Sequence, residues 1–349
     1  MLVDAVSPTG GRQQEGKRAG GSSVRVAVTG GAGFIGHHLV GGLLARGHQV
    51  NVIDDFSTGM PSRLARFGDR IALTEGSILD TAALDMTLEG CEVVFHEAAI
   101  ASVARSLVEP RVTNEVNVSG TIEVMLAAAR HRVRRVVFAG SSAVYGIPAK
   151  LPSRETQRPN PVSPYGASKL AAEHYIDTLG RALGVETVAL RYFNVFGPGQ
   201  DPASEYAAVV PRFATAALEE RQPTINGTGE TSRDYIYVDN VVEANLLASR
   251  SSSPSGLTCN IASGSRISLV ELAQAIWAAA GRAADPIFGP PRQGDIPHSQ
   301  ADVSVARRTL GYRVSVPFGE GIARTLAWYR SQGGGPSRDP GQLPDDQGG

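Results

Sequence analysis

The sequence is poor in cysteine and has no excess of charge of either sign. Cys91 and Cys259 are its two cysteines, both in apolar, strand-like surroundings and without the spacing of a metal site or a CxxC motif. Two buried free thiols are the simplest interpretation, and they fit a reducing, cytoplasmic setting. The formal net charge of −1 gives no electrostatic reason to expect a nucleic-acid or membrane partner.

Long hydrophobic runs, metal-binding clusters and internal repeats are also missing. The most apolar run, FIGHHLVGGLLA, is too short for a membrane span and contains two histidines. The N-terminal region lacks the apolar core of a signal peptide. No His, Cys and Asp cluster has metal spacing, so we expect no metal. Residues 1–22 and 331–349 are rich in glycine and polar residues, which predicts disordered tails around a folded body.

A glycine-rich loop stands between a predicted strand and a predicted helix. In VRVAVTGGAGFIGHHLVGGLLARG, the strand VRVAV leads into Gly30, Gly33 and Gly36, and the helix ends near Gly47. Such a loop lets backbone N–H groups and a helix N-terminus approach a pyrophosphate. Asp54 ends the next strand, 18 residues after Gly36, where a carboxylate binds an adenosine ribose and repels a 2′-phosphate. The pattern predicts NAD rather than NADP.

Strands and helices continue to alternate along the first half of the chain. Further strands are expected in RIALTEGSILD, CEVVFHEAA, VRRVVFAGSSAVYG and VETVALRYFNVFGPG. We therefore predict an α/β fold, a Rossmann-type doubly wound parallel sheet over 23–195. A smaller C-terminal α/β substrate-binding lobe is expected over 196–330, with some segments returning to the sheet. Ligands should bind at the carboxyl ends of the strands.

The segment SPYGASK places Tyr165 four residues before Lys169, on one helix face. Such a pair is either exposed and polar or an acid–base device, and its position after a dinucleotide-binding unit favours the second. A free tyrosine has a pKa of about 10. A nearby lysine and the positive nicotinamide ring would favour the phenolate, which can take a proton from a sugar or alcohol hydroxyl. Ser141 or Ser142 could hydrogen-bond the same hydroxyl.

Taken together, these motifs resemble a known family. TGGAGFIG, HEAAIASVARS, NVSGT, SSAVYG, SPYGASK, RYFNVFGPGQ, SRDYIYVDN and RQGDIPHSQAD run from residue 29 to 302. The chain resembles an extended short-chain dehydrogenase/reductase, specifically a nucleotide-sugar epimerase of the UDP-galactose 4-epimerase type. The resemblance implies an NAD cofactor, a UDP-sugar substrate and a homodimer built from helices that begin near Asn117 and Tyr165.

The resemblance also assigns roles to individual residues. It implies catalysis by Ser141, Tyr165 and Lys169. The residues that it places at NAD, besides Tyr165 and Lys169, are Gly30, Gly33, Phe34, Ile35, Gly36, Asp54, Ser77, Ile78, Ala98, Ala99 and Asn117. Those that it places at the UDP-sugar are Ser102, Ser142, Asn194, Arg233, Arg292, Asp295 and Ser299. Arginine forks suit a diphosphate, although Arg233 taken alone would be interpreted as a structural residue.

The reaction and the sugar are less closely specified. Relatives that dehydrate or decarboxylate resemble each other in carrying acids just after the catalytic Ser/Thr, where this chain has Ser142 and Ala143. This favours simple C4 epimerisation over a dehydratase or reductase, and a non-catalytic NAD-binding regulator would be expected to lack Tyr165 or Lys169. Ser299 stands where epimerases of UDP-glucose have a tyrosine, which favours UDP-N-acetylglucosamine. UDP-glucose and UDP-glucuronate remain alternatives, and Glu97 has no assigned role.

Overall fold

A seven-stranded parallel sheet forms the centre of the molecule. The computed structural model describes residues 23–332 except 149, 203–207, 254 and 292–295. In chain order the strands are β1 (Arg25–Thr29), β2 (Gln49–Asp54), β3 (Ile71–Glu75), β4 (Val93–His96), β5 (Arg135–Ser141), β6 (Glu186–Tyr192), β7 (Asn194–Phe196), β8 (Thr224–Asn226), β9 (Ser232–Arg233), β10 (Tyr235–Tyr237), β11 (Leu257–Ile261), β12 (Ile267–Ser268) and β13 (Ile287–Gly289). The central sheet has the order β11-β6-β5-β4-β1-β2-β3, with every pair parallel. The predicted Rossmann-type α/β sheet is confirmed.

The described part of the chain contains helices that cover both faces of this sheet and helices that belong to the smaller lobe. They are α1 (Phe34–Ala45), α2 (Pro61–Ala65), α3 (Thr81–Leu88), α4 (Val103–Val108), α5 (Pro110–Asn114), α6 (Gly120–Arg130), α7 (Pro164–Leu183), α8 (Val209–Leu218), α9 (Val238–Arg250), α10 (Leu269–Ala279), α11 (Ser304–Leu310) and α12 (Phe318–Ser331). Alternate strand residues face opposite layers. Val26 and Val28 pack with α1 and α9, whereas Ala27 packs with α3, α6 and α7.

The inner strands β4 and β5 are mostly apolar and are covered on both faces. Residues of β5 are buried along its whole length, as are all four residues of β4. Parallel strands covered on both sides are expected to form such continuous apolar runs. As a result, polar side chains concentrate at the carboxyl ends of the strands, where the candidate site lies.

The smaller lobe is built from short strand pairs and three helices. β7 pairs with β10, β9 with β12 and β8 with β13. Helices α8, α10 and α12 pack around Phe196, Phe213 and Trp277 in a separate apolar core. The segment SLVELAQAIWAAAG forms α10, which begins with a capping box between Ser268 and Glu271.

Two boundaries differ from those predicted from sequence. VETVALRYFNVFGPG was expected to be one strand, but it divides at Phe193 because the chain changes partners there. The Phe193 N–H bonds to Ile261 of the central sheet, and the next N–H, of Asn194, bonds to Asp234 of the small lobe. The C-terminal tail was predicted from residue 331, whereas α12 includes Ser331. The remaining predicted tail residues, 1–22 and 333–349, lie outside the described part. Within the described ranges, no helix is both long and apolar enough to cross a membrane.

Candidate active site

The glycine loop lies directly against the end of β4. Gly30 has a φ of +69°, and a Cβ there would stand 2.7 Å from the Ala98 backbone. A Cβ on Gly36 would stand 2.1 Å from the Gly30 carbonyl oxygen. Because side chains are excluded from both places, the backbone lies open at the N-terminus of α1, which begins at Phe34 and Ile35. This cradle fits the pyrophosphate of a dinucleotide.

Asp54 ends β2 beside this loop. Its carboxylate accepts hydrogen bonds from the backbone N–H groups of Ala32 at 2.8 Å and Phe56 at 2.9 Å. Burial raises the pKa of Asp54, and these two N–H donors oppose that rise. The group therefore lies where a ribose-binding carboxylate was predicted, and it also holds the turn that follows β2.

The other predicted cofactor residues line the same edge. Ser77 follows β3 and accepts a bond from the Leu79 N–H at 3.2 Å, while the Ile78 side chain is buried against Gly120. Ala98 and Ala99 follow β4 and are partly exposed. The Asn117 amide bonds to both Ile100 backbone groups and to Ser168. Asn117 thus holds the Ala98–Ala99 loop against α7, and its direct contact with NAD remains a prediction.

Ser141, Tyr165 and Lys169 meet at the carboxyl end of β5. Ser163 caps α7 by accepting from the Gly166 N–H at 3.1 Å, and Pro164 fits the first helical position. The cap places Tyr165 in the first turn, with its hydroxyl hydrogen-bonded to the Ser141 side chain. Lys169 lies one turn later and is 4% exposed. The Ser141 hydroxyl also accepts from the Ala143 N–H at 3.2 Å.

Burial dominates the electrostatics of this group. Burial raises the pKa of Tyr165 in the protein alone, and the bond from Ser141 opposes the rise. Burial also lowers the pKa of Lys169 to about 8, with the Glu97 carboxylate acting in the opposite direction. In the protein alone, burial thus favours the neutral phenol of Tyr165. A positive charge such as the expected nicotinamide ring would favour the phenolate.

Three of the predicted substrate residues come together between the lobes. The Asn194 amide donates to the Ser299 hydroxyl at 3.4 Å. The Ser299 N–H bonds to the Ser232 carbonyl, which also accepts from the Arg233 guanidinium at 3.0 Å. This cluster lies at the junction of β7, β9 and the segment before α11.

The remaining predicted substrate residues are more dispersed. Ser102 caps α4 by accepting from the Arg105 N–H at 3.0 Å. Ser142 begins a short 3-10 turn directly after β5. Arg292 and Asp295 lie outside the described residues.

Two polar clusters were missed in the sequence. The Glu97 carboxylate accepts from the Tyr192 hydroxyl at 2.8 Å, although the two residues are 95 positions apart. Arg63 of α2 donates to the carbonyls of Ala32, at 3.1 Å, and Gly199, at 2.6 Å, so that it joins the glycine loop to the segment after β7. A long-range pair gives no local signal, although both Glu97 and Tyr192 stand at predicted strand ends.

The histidines have structural contacts. His37 bonds to the Gly33 carbonyl at 2.9 Å and His38 to the Pro198 carbonyl at 2.8 Å. His96 lies between the hydroxyls of Thr29 and Thr121, at 2.8 and 2.9 Å, and burial lowers its pKa to about 3. Among the described residues, no group of three His, Cys, Asp or Glu side chains could hold a metal ion.

Comparison with known proteins places the chain among sugar-nucleotide enzymes. The model of the NAD dependent epimerase/dehydratase family matches residues 26–262. A UDP-glucose 4-epimerase of Mycolicibacterium smegmatis is 39% identical over 315 residues, which is 88% of this chain and 99% of that protein.

Solved structures agree with the sequence comparison. A UDP-N-acetylglucosamine 4-epimerase of Methanobrevibacter ruminantium, in complex with UDP-N-acetylmuramic acid, is 36% identical with a TM-score of 0.85; the alignment covers 89% of this chain and 99% of that one. A UDP-glucose 4-epimerase of Thermus thermophilus, in complex with NAD, is 36% identical with a TM-score of 0.80 over 88% of this chain and 99% of that one.

Proposed function

The chain belongs to the NAD-dependent epimerase/dehydratase family and is an enzyme of the UDP-sugar 4-epimerase type, and we propose that it interconverts UDP-N-acetylglucosamine and UDP-N-acetylgalactosamine. NAD is its cofactor. The observation that carries the proposed chemistry is the meeting of Ser141, Tyr165 and Lys169 beside the glycine loop, at the carboxyl end of the sheet.

In the proposed reaction, Ser141 and Tyr165 act on one hydroxyl of the sugar, and Lys169 acts on Tyr165. Tyr165 takes the proton of the C4 hydroxyl, while Ser141 hydrogen-bonds the same oxygen. The Lys169 ammonium stabilises the phenolate form of Tyr165. When bound, NAD supplies the hydride acceptor and donor. The 4-keto sugar then turns in the site, so that its other face receives the hydride and Tyr165 returns the proton.

The residues after Ser141 favour epimerisation over elimination. Expulsion of a hydroxyl or loss of carboxylate in this kind of site uses an additional acid, and Ser142 and Ala143 carry none. The 3-10 turn from Ser142 to Tyr145 contains no acidic residue, so it places no carboxylate next to Ser141 and Tyr165. A release of deoxy-keto sugar is therefore not expected.

The proposed sugar preference rests on Ser299. Its hydroxyl is small and lies within 3.4 Å of the Asn194 amide, close to Arg233. A small residue here leaves space beside C2 of the sugar for an acetamido group. The similarity to the Methanobrevibacter ruminantium enzyme supports this choice. Asn194, Arg233, Arg292 and Asp295 are proposed to hold the nucleotide diphosphate.

UDP-glucose and UDP-galactose are the second candidate pair. The observation that favours them is the 39% identity to the Mycolicibacterium smegmatis protein, which exceeds that to the Methanobrevibacter ruminantium enzyme. A pocket widened at Ser299 would still admit the smaller sugar, so the two activities can coexist in one protein.

A proton NMR time course tests the proposal. Purified protein without added NAD is mixed separately with UDP-N-acetylglucosamine, UDP-glucose and UDP-glucuronate. We expect a new anomeric signal of the 4-epimer, growing fastest with the acetamido sugar. The Ser299→Tyr variant should lose that activity at least about tenfold, the effect of a steric clash of a few methylene equivalents, while retaining turnover of UDP-glucose. Turnover of UDP-glucose alone by the unmodified protein would contradict the sugar assignment. No turnover of any of the three sugars, even with NAD, would contradict the epimerase chemistry.

We also propose a homodimer formed through α6 and α7. Exposed apolar residues support it, since Tyr175 and Leu183 of α7 are 43% and 39% exposed and Leu107 of nearby α4 is 64% exposed. Sedimentation equilibrium should give twice the chain mass, and a monomer over the micromolar range would contradict this assembly.

A further inference from the structure

Glu97 carries a carboxylate next to the glycine loop, since its backbone lies against Gly30. It follows β4 directly, between His96 and Ala98. The hydroxyl of Tyr192 donates to its Oε1 at 2.8 Å, and the same hydroxyl accepts from the Asn245 amide at 2.7 Å. Tyr192 is 7% exposed and Asn245 is fully buried. A relay of buried side chains on β6 and α9 therefore fixes one oxygen of this carboxylate.

Lys169 lies beside the strand next to this carboxylate: its Nζ stands over the ring of Phe138 on β5, and Phe138 pairs with His96, the residue before Glu97. Lys169 is 4% exposed, and its Nζ lies 4.8 Å from the centre of the Phe138 ring. A buried ammonium loses its hydration, which favours the neutral amine. The negative charge that opposes this effect at Lys169 comes from Glu97.

We propose that Glu97 is a positioning residue whose carboxylate, fixed by Tyr192, keeps the buried Lys169 ammonium charged so that it can support Tyr165. This inference rests on the proposed function, because it concerns the proton balance of the same site. Glu97 acts on the sugar only through Lys169 and Tyr165.

The groups around Lys169 agree with this role. His96 is held neutral between two threonine hydroxyls and adds no charge. Tyr165, on the same helix, bonds to the Ser141 hydroxyl of β5. Tyr192, on β6, is committed to Glu97 and Asn245.

Farther along α7, Glu173 accepts two hydrogen bonds from Arg191 of β6, so these two charges compensate each other. Among the residues that the structure describes, Glu97 is the acid whose charge acts on Lys169. Burial raises the pKa of Glu97 to about 7, and both the Tyr192 hydroxyl and Lys169 oppose that rise. The two groups are coupled, because each favours the charged form of the other.

The lysine content of the chain makes a direct test possible. The sequence contains three lysines, Lys17, Lys150 and Lys169. Lys150 is exposed and Lys17 precedes the described residues. Replacing both by arginine leaves Lys169 as the single lysine, so that its 15N-labelled side-chain amine can be titrated by NMR in the full-length protein. This measurement needs no turnover, so its outcome is separate from that of the proposed epimerase activity.

The decisive variant is Glu97→Gln in this single-lysine background. Its amide oxygen can still accept from Tyr192, but the charge is lost. We expect the Lys169 midpoint, near pH 8 in the parent protein, to fall by about one pH unit, the usual effect of losing a nearby opposite charge. The alkaline limb of the turnover profile should move in the same direction.

Two further variants complete the test. Tyr192→Phe keeps the carboxylate but removes its donor, so it should lower the Lys169 midpoint by less. Glu92→Gln removes a carboxylate at the other end of β4, where it pairs with Arg134 at 2.9 Å, and should leave the midpoint unchanged. An unchanged Lys169 midpoint in Glu97→Gln, or an equal fall in Glu92→Gln, would overturn the proposal. If Glu97→Gln does not fold, an unchanged midpoint in Tyr192→Phe would overturn it instead.

Discussion

Helix α7 carries two buried charged groups one turn apart, and the surroundings of the two differ sharply. Lys169 lies over the Phe138 ring near the carboxyl end of β5, where the Glu97 charge acts on it. Glu173, on the next turn, faces β6. Its two carboxylate oxygens accept from Arg191 at 2.9 and 2.6 Å. Arg191 also donates to the Tyr145 hydroxyl at 2.8 Å, and that hydroxyl donates to Asn260 at 2.7 Å.

The comparison distinguishes the turn of α7 that carries Lys169, which serves the reaction, from the turn that carries Glu173, which holds the helix in place. The Glu173–Arg191 pair is directly bonded, and the Glu173 carboxylate raises the pKa of Arg191 above an already high value, so the guanidinium charge persists at any working pH. By contrast, the pKa values of Glu97 and Lys169 move toward neutrality, to about 7 and about 8. The Glu173–Arg191 pair thus holds α7 in place, and one turn earlier the helix carries Lys169, whose pKa lies close to neutrality.

Removing the phenol of Tyr165 should have the largest effect. Tyr165→Phe is expected to lower turnover by about 10²- to 10⁴-fold, the contribution of a positioned general acid–base group. The free energy of unfolding should change little, because the fixed pair at Glu173 is untouched. NMR product assays and urea unfolding measure the two quantities. Retention of more than a tenth of the activity would contradict the assignment of Tyr165.

Breaking the Glu173–Arg191 pair should mainly reduce stability. Arg191→Met leaves the Glu173 carboxylate buried without its cation and is expected to lower the free energy of unfolding by about 3–5 kcal/mol. The double variant Glu173→Leu, Arg191→Met should recover much of this loss, because no charge remains uncompensated. Urea titrations of the two proteins test this. A single variant as stable as the parent would show that the pair does not hold α7.

The titration of Glu97 should also appear in the pH dependence of stability. Glu97 has an ordinary pKa of 4.5 when unfolded and about 7 when folded. Between these values the folded protein holds more protons, so this group makes the free energy of unfolding fall as pH rises from 4.5 to 7. Glu97→Gln should remove that slope. The total change in unfolding free energy that Glu97 contributes over this pH range is on the order of a few kcal/mol at most.

The measurement is the difference between the unfolding free energies of parent and Glu97→Gln proteins, taken at several pH values. The difference cancels the opposite contribution of His96, whose lowered pKa makes stability fall as the pH drops below 6.5. Parallel stability curves for the two proteins would show that Glu97 does not titrate in this range.

The smallest expected effect comes from the cap that precedes both turns. Ser163→Ala removes the acceptor for the Gly166 N–H and should cost about 1 kcal/mol of stability, as is usual for an N-cap. The Tyr165 N–H has a separate acceptor in Ser106, at 3.1 Å, so turnover should change less than stability. Thermal unfolding and the NMR assay measure these together. A loss of turnover as large as that of Tyr165→Phe would show that the cap itself orders the catalytic turn.

The parts of this site that sequence could predict are those with local patterns. Gly30 to Gly36, Asp54 and the Tyr165–Lys169 pair each stand next to a strand end or helix start that is recognisable from nearby residues. The central sheet followed from the same alternation. Sequence also placed Asn194 and Ser299 in one substrate site, but only through resemblance to a family.

The parts that could not be predicted depend on which strands are neighbours. Glu97 and Tyr192 meet only because the ends of β4 and β6 face one cleft, and Glu173 meets Arg191 because α7 lies over β6. The division of one apolar run at Phe193 depends on a second sheet, in which Asn194 pairs with Tyr235 of β10. Periodicity does not report such changes of partner.

That division has a consequence for how enzymes of this architecture can be recombined. After Phe193 the chain enters the small lobe, returns through α9 and β11 to the central sheet, and enters the small lobe again at β12. A chimaera that exchanges everything after residue 195 would therefore replace the edge strand of the nucleotide-binding sheet as well. New sugar preferences in such a protein should come more readily from point changes or short loop grafts than from exchange of whole modules.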